Sequence, residues 1–163
     1  MKIILDAMSG DNAPGEIIEG AALAVKELDV NIRLVGDEKI IKKYMYDHVI
    51  PPNRIEIVHT DKIIKMDDDP MSIAWSNKDS SMGVCLKLLA TGGGDAMVSA
   101  GNTGAILTGA TLIVKRLPGI KRAVLATIMP FEKVSLLLDI GANVECRPEY
   151  LVQFAVMGKR SEE

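Results

Sequence analysis

Short apolar runs along this chain alternate with stretches in which aliphatic side chains return every three to four positions. Lys2–Leu5, Ile32–Val35, Arg54–His59 and Ala96–Ser99 are too brief for helices and predict strands. Ile17, Ile18, Ala21, Ala22, Val25 and Leu28 form the apolar stripe of a first helix. Asn12 is placed to cap it, and Pro14 suits its first turn. Glu38–Tyr46 predicts a short second helix. A third carries the stripe Met82, Cys85, Leu86 and Leu89, is capped by Ser80 and Ser81, and ends at Gly92–Gly94. A fourth carries Ile106, Ala110, Ile113, Val114 and Leu117, with Lys115 and Arg116 in its last turn and Pro118-Gly119 as its stop. Strands that alternate with helices imply a mainly parallel sheet joined by right-handed crossovers.

Beyond Gly119 the rhythm changes. Val124–Met129 and Val134–Ile140 are strand-like, and the gap at Pro130–Lys133 is too short for a crossover helix. They predict an antiparallel hairpin, hence a mixed sheet in a three-layer α/β/α fold. Leu136–Leu138 lacks alternation, which predicts cover on both faces. From Pro148 a last helix carries Leu151, Val152, Phe154, Ala155, Val156 and Met157, and so predicts a buried element. The final residues, Lys159–Glu163, follow almost at once. The expectation is one α/β domain over residues 1–163 that is the N-terminal part of a longer chain, or that docks on a partner subunit.

Composition narrows the function classes. At 48% apolar residues the 163-residue chain can bury a sizeable core. A net charge of −3 and 4% aromatic residues argue against a nucleic-acid partner. Cys85 and Cys146 form no Cys-x-x-Cys pair and suit a reduced, cytoplasmic setting. Met1-Lys2 runs straight into a strand without a signal peptide, and no apolar run reaches membrane-spanning length.

Candidate chemistry lies at strand C-termini, where ligand sites form in open α/β sheets. Three loops lie there: Asp6–Asp11, Ser99–Gly104 and Asp139–Asn143. The second is a strand, a glycine turn and a helix start. First-turn amides lack internal partners and sit at the positive end of the dipole, so phosphate fits. Gly101 and Gly104 allow close approach, and Ser99, Asn102 and Thr103 add polar side chains. A plain helix cap reads the same residues equally well. No Gly-Lys-Ser/Thr closes the loop, and it is not Gly-x-Gly-x-x-Gly. Asp6 and Asp11 either shape a metal site, a proton relay or an electrostatic frame, or serve turns and caps. Asp139, beside Asn143, points to function. Lys78, Ser80 and Ser81 add donors if their helix start faces the same crevice. The run Asp67–Asp69 could bind a hard cation but reads better as a solvated loop; no metal or cofactor is expected. His48 and His59 read as structural, Cys85 as core, and Trp75 as packing. No nucleophile triad is present in the pattern, so a bound anion that itself attacks fits the set.

The motifs Asp6-Ala-Met-Ser-Gly-Asp11, Ser80-Ser-Met82, Ser99-Ala-Gly-Asn-Thr-Gly-Ala105, Gly119-Ile-Lys-Arg122, Leu138-Asp-Ile-Gly-Ala-Asn-Val144 and Leu151-Val-Gln-Phe-Ala-Val-Met-Gly158 resemble, in order, the bacterial phosphate acyltransferase family of phospholipid synthesis (the PlsX family). The resemblance implies a fold similar to isocitrate dehydrogenase and phosphate acetyltransferase. It implies transfer of an acyl chain from acyl carrier protein to inorganic phosphate, in a homodimer peripherally associated with the cytosolic membrane face through its second half. Lys78, Asn102, Asp139 and Asn143 would then be catalytic. Asp6, Gly10, Asp11, Ser80, Ser81, Ser99, Gly101, Thr103 and Gly104 would bind phosphate or substrate. Ser9-Gly10 stands where the family has two glycines, Trp75 where it has arginine, and Ala123 where it has proline. The alternatives are a phosphate acetyltransferase-like or isocitrate dehydrogenase-like enzyme, or a non-catalytic ligand-binding or assembly module.

Overall fold

The computed structural model describes residues 1–141, 143 and 145–161, the last two by their backbone alone. The chain divides into two compact units, 1–115 and 116–163.

The first unit is built on four parallel strands: β1 (Lys2–Asp6), β2 (Asn31–Gly36), β3 (Ile55–His59) and β4 (Ala96–Val98), in the order β3-β2-β1-β4. Successive side chains face opposite ways. On one face Ile3, Leu5, Ile32, Leu34, Ile55 and Ile57 pack against α1 (Gly15–Glu27) and α2 (Glu38–Asp47). On the other, Ile4, Val35, Val58 and Met97 pack against α3 (Ser81–Ala90). Both faces are covered, which is why the strands read as continuous aliphatic runs. At the β4 edge, Ile3, Leu5, Ala21, Ala24 and Val98 line an apolar groove of about 390 Å³.

Two predicted helix details change. Asn12 does not cap α1: its amide nitrogen donates to Glu16 Oε1 (2.9 Å), and the N-cap position falls to Pro14 without a side-chain bond. Leu28 leaves the stripe and is 58% exposed, because α1 ends at Glu27 and Val30 fills the core instead. Ser80 caps α3 as the pattern predicts, and Asp37, which the pattern did not mark, caps α2. Asp37 accepts the amides of Lys39 and Ile40 at α2, and Ser80 accepts that of Gly83 at α3.

The helix after the glycine turn is shorter than its stripe suggests. α4 spans Thr103–Gly109 and opens into a π-helical turn, Ala110–Val114. Thr111 Oγ1 donates to the Leu107 carbonyl (2.8 Å), a bond that competes with the helical ladder. Lys115, at φ 73°, ends the element, so Lys115 and Arg116 lie past its end and Leu117 is exposed.

In the second unit β5 (Ala126–Met129) and β6 (Ser135–Leu138) form the expected antiparallel hairpin, but as a two-stranded sheet of their own. One face only is covered: Leu136 and Leu138 are half-buried, while Leu137 and Ile128 are exposed. α5 (Pro148–Ser161) is likewise covered along one stripe, not all round. Phe154 and Gly158 are buried, with Gly158 against Leu138, whereas Leu151, Val152 and Val156 are exposed. A single hairpin is too narrow to bury every apolar residue of that helix.

Leu86 joins Ile64, Ile73, Met82 and Ala105 in the core beneath the glycine turn. Leu86→Ala should destabilise the first unit by about 2–5 kcal/mol, seen as a lower urea midpoint at unchanged slope.

Candidate functional site

β1 and β4 are neighbours, so their carboxyl ends meet. The Ile3↔Ala96 register sets Asp6 opposite Ser99, both on the α3 face. Ser99 Oγ donates to Asp6 Oδ2 (2.9 Å) and accepts from the Gly101 amide (3.2 Å). Asp6 is fully buried and its other oxygen accepts the Met8 amide (3.2 Å). One carboxylate thus ties the first loop to the second.

Glycine is required where these loops touch. A Cβ on Gly101 would lie 2.6 Å from Ser9 Cβ and 2.9 Å from Met82 Cε. Gly10, at φ +120°, brings its loop against Ala100. Gly104 lies under Pro70, where a Cβ would meet the ring at 2.8 Å.

Asn102 is nine-tenths buried and wholly engaged. Its carbonyl oxygen accepts the Ala105 amide (3.0 Å) and so caps α4. Its Nδ2 donates to the carbonyls of Lys65 (3.3 Å), Met66 (3.1 Å) and Asp68 (3.1 Å). The residue expected to contact phosphate therefore clamps the 65–68 loop to the helix start. Ile106 N to Asn102 O is the first backbone bond of α4, which leaves the Thr103 and Gly104 amides at the open end. Thr103 is exposed there.

At α3, Ser80 serves as the cap, whereas the buried Ser81 hydroxyl has no hydrogen-bond partner. Met82, next in the chain, packs on Gly101, which places the α3 start at the loop. Lys78 is exposed on the turn that leads into Ser80, and Asp11 is exposed on the first loop. Sequence reasoning passed over Ser9, which is 3% exposed and whose hydroxyl also has no partner. A serine in a glycine-containing loop gives no signal of burial.

The structure brings together Asp6, Gly10, Ser99 and Gly101, with Ser9 and Met82 against Gly101. Asp139 and Asn143 form a pair within the second unit. Asn143 Nδ2 donates to Asp139 Oδ1 (2.9 Å) and to the Ala123 carbonyl (3.1 Å). Asp139 is held at φ 62°, an uncommon conformation for a non-glycine residue, by its amide bond to the Leu125 carbonyl. Ala142 and Val144 of that turn lie outside the described residues.

The residues read as incidental make local contacts, and one of them differs from its reading. His59 Nδ1 accepts the Glu38 amide, and His48 stacks on Tyr44. Asp68 accepts the Lys65 amide and Asp69 that of Met71, so the acidic run serves its own turns. Trp75 does not pack: it is 71% exposed, because the 3-10 turn Pro70–Ala74 ends just before it and buries Ile73 instead. Cys85 lies in the core, where burial and then the Asp6 carboxylate push its thiol well above the usual range.

Residues 1–163 match the family model described as Fatty acid synthesis protein. A phosphate acyltransferase of Dictyoglomus turgidum is 47% identical over 161 residues, which cover 98% of this chain and 48% of that protein. One from Clostridioides difficile is 45% identical over 159 residues, 96% of this chain and 47% of that one. The chain thus spans about half the length of the curated relatives it matches. Among solved structures, the EutD phosphotransacetylase of Staphylococcus aureus superposes with a TM-score of 0.71 at 18% identity, over 99% of this chain and 52% of that one. A phosphotransacetylase from Streptococcus pyogenes gives 0.73 at 17%, over 96% and 51%. At such identities the likeness shows the α/β fold alone.

Two outcomes follow. Asp and Asn cap helices equally well, yet Asn102→Asp would turn an oxygen onto three carbonyls. It should therefore destabilise as much as Asn102→Ala, by about 1–3 kcal/mol in urea unfolding. Iodoacetamide should label the exposed Cys146 of the native protein and leave Cys85 unmodified until it unfolds, as read by mass spectrometry.

Proposed function

Because this chain belongs to the family described as Fatty acid synthesis protein, we propose that it is the N-terminal part of an enzyme that moves a fatty acyl group from acyl carrier protein to inorganic phosphate. The observation that carries the reading is that two anion-suited features meet at one sheet edge: the open α4 start at Thr103 and Gly104, and the glycine turn braced by Ser99. The names of its relatives, phosphate acyltransferases at 45–47% identity, supply the acyl half of the reaction.

In this scheme hydrogenphosphate rests on the loop amides and the Thr103 hydroxyl. One of its oxygens attacks the thioester carbonyl carbon. A C–O bond forms, the C–S bond breaks, and the carrier's thiolate leaves and takes the proton that hydrogenphosphate gives up. Lys78 supplies positive charge to the oxyanion that builds on the carbonyl oxygen. A preorganised donor at such a position is worth about 2.7–4 kcal/mol. Asp6 orients Ser99, and Asp11 and Ser80 shape the loops around the anion. Asp139 and Asn143 act as the catalytic pair of the acyl-transfer step on the strength of the resemblance. The same source suggests a homodimer at the cytoplasmic membrane face, with membrane contact made by the second half.

The test uses the full-length protein that carries this sequence, with acyl carrier protein charged with a long acyl chain, phosphate, and hydroxylamine to trap acyl phosphate. Phosphate-dependent hydroxamate is expected. Turnover of acetyl thioesters alone would reassign the enzyme to acetyl transfer, and no turnover with either would sink the reading.

A further inference from the structure

We propose that Ser9 is a ligand-binding residue of this chain, and that its hydroxyl donates a hydrogen bond to the oxyanion held on the Ser99–Gly104 loop. The proposal rests on the phosphate reading above and adds to it a residue that neither the sequence pattern nor the glycine motif marks.

Three observations carry it. Ser9 is 3% exposed and its Oγ finds no partner in the protein. A buried hydroxyl without a partner is costly, and native structures hold few of them. Second, Ser9 abuts the anion loop itself. A side chain built on Gly101 would come within 3.1 Å of Ser9 Oγ and 2.6 Å of Ser9 Cβ. The absent side chain of Gly101 therefore leaves the space in which the hydroxyl sits. Third, the bonding of the polar groups around it is accounted for. Ser99 Oγ donates to Asp6 and accepts from Gly101, while Asp6 accepts from Met8 with its second oxygen. The Ser9 proton has no assigned acceptor in this network, and an oxyanion on the loop would supply one.

The loop also holds Ser9 in place. Gly10 at φ +120° turns the chain immediately after it, and the contact with Ala100 fixes that turn against the second loop. A donor already held in place loses little freedom when it binds. Its lack of an internal bond separates Ser9 from the cap Ser80, whose hydroxyl is engaged by Gly83.

Inorganic phosphate is titrated by calorimetry into the full-length protein that carries this sequence, with wild type, Ser9→Ala and Ser9→Gly compared. A hydrogen bond to a charged acceptor predicts that both variants raise the dissociation constant about ten- to a hundredfold. Thermal unfolding without phosphate gives the second readout. Deletion of an unpaired hydroxyl should leave Tm of Ser9→Ala unchanged or raise it, whereas loss of an internal bond would lower it. Unchanged phosphate affinity in both variants, with wild type binding, overturns the role of Ser9 and leaves the loop reading intact. A fall in ligand-free Tm for Ser9→Ala, with phosphate affinity kept, does the same. Wild type that binds no phosphate overturns both.

Discussion

The carboxyl ends of β1 and β4 are joined by a hydrogen bond between residues 93 positions apart, from Ser99 Oγ to Asp6 Oδ2. Its position follows from strand register. Ile3 pairs with Ala96 and Leu5 with Val98, so the next residues of each strand face each other on the α3 side. A carboxylate buried there would be prohibitive without donors. It has two, the Met8 amide and the Ser99 hydroxyl, one from each loop. The charge is thereby tolerated, and the two loops share one anchor. Cys85 registers the same charge, since its thiol proton is held more tightly by Asp6 as well as by burial.

Around that anchor the loop is shaped by exclusion. Gly101 admits Ser9 and Met82 because it has no side chain, and Gly104 admits Pro70 for the same reason. Asn102 then joins a third segment, 65–68, to the start of α4. The result is a turn whose side chains are mostly occupied with one another. Its Thr103 and Gly104 amides stay at the open start of α4, and the unpartnered Ser9 hydroxyl lies against Gly101. Such division of labour suits an anion: side chains build the frame, and peptide groups supply the contact.

Most of the architecture was legible because aliphatic period and glycine position report it directly. Parallel strands covered on both faces, the cap at Ser80, and the hairpin at 126–138 all follow from local chemistry. What escaped depends on tertiary placement. The π turn after Gly109 contains a threonine hydroxyl bonded back to Leu107, and the half-bare faces of α5 and β6 depend on what packs against them. In the candidate site, residue types marked two loops that meet at the sheet edge, at Asp6 and Ser99, but not the hydrogen bonds within them. Asn102 looked like a ligand contact and is a clamp. Ser9 drew no reading beyond its departure from the family's glycine, and its hydroxyl is buried without a partner. A sequence pattern names the groups available, while hydrogen-bond saturation decides which of them remain free.

The β4 edge carries a constraint of its own. Any strand laid along Ala96–Val98 in parallel register would have side chains alternating between two apolar environments. Those level with Val98 would drop into the groove beside Leu5 and Ala21, and those level with Met97 would meet the α3 layer. A segment that completes this sheet would thus meet apolar side chains on either face, which favours aliphatic residues at successive positions and makes that edge a selector of composition.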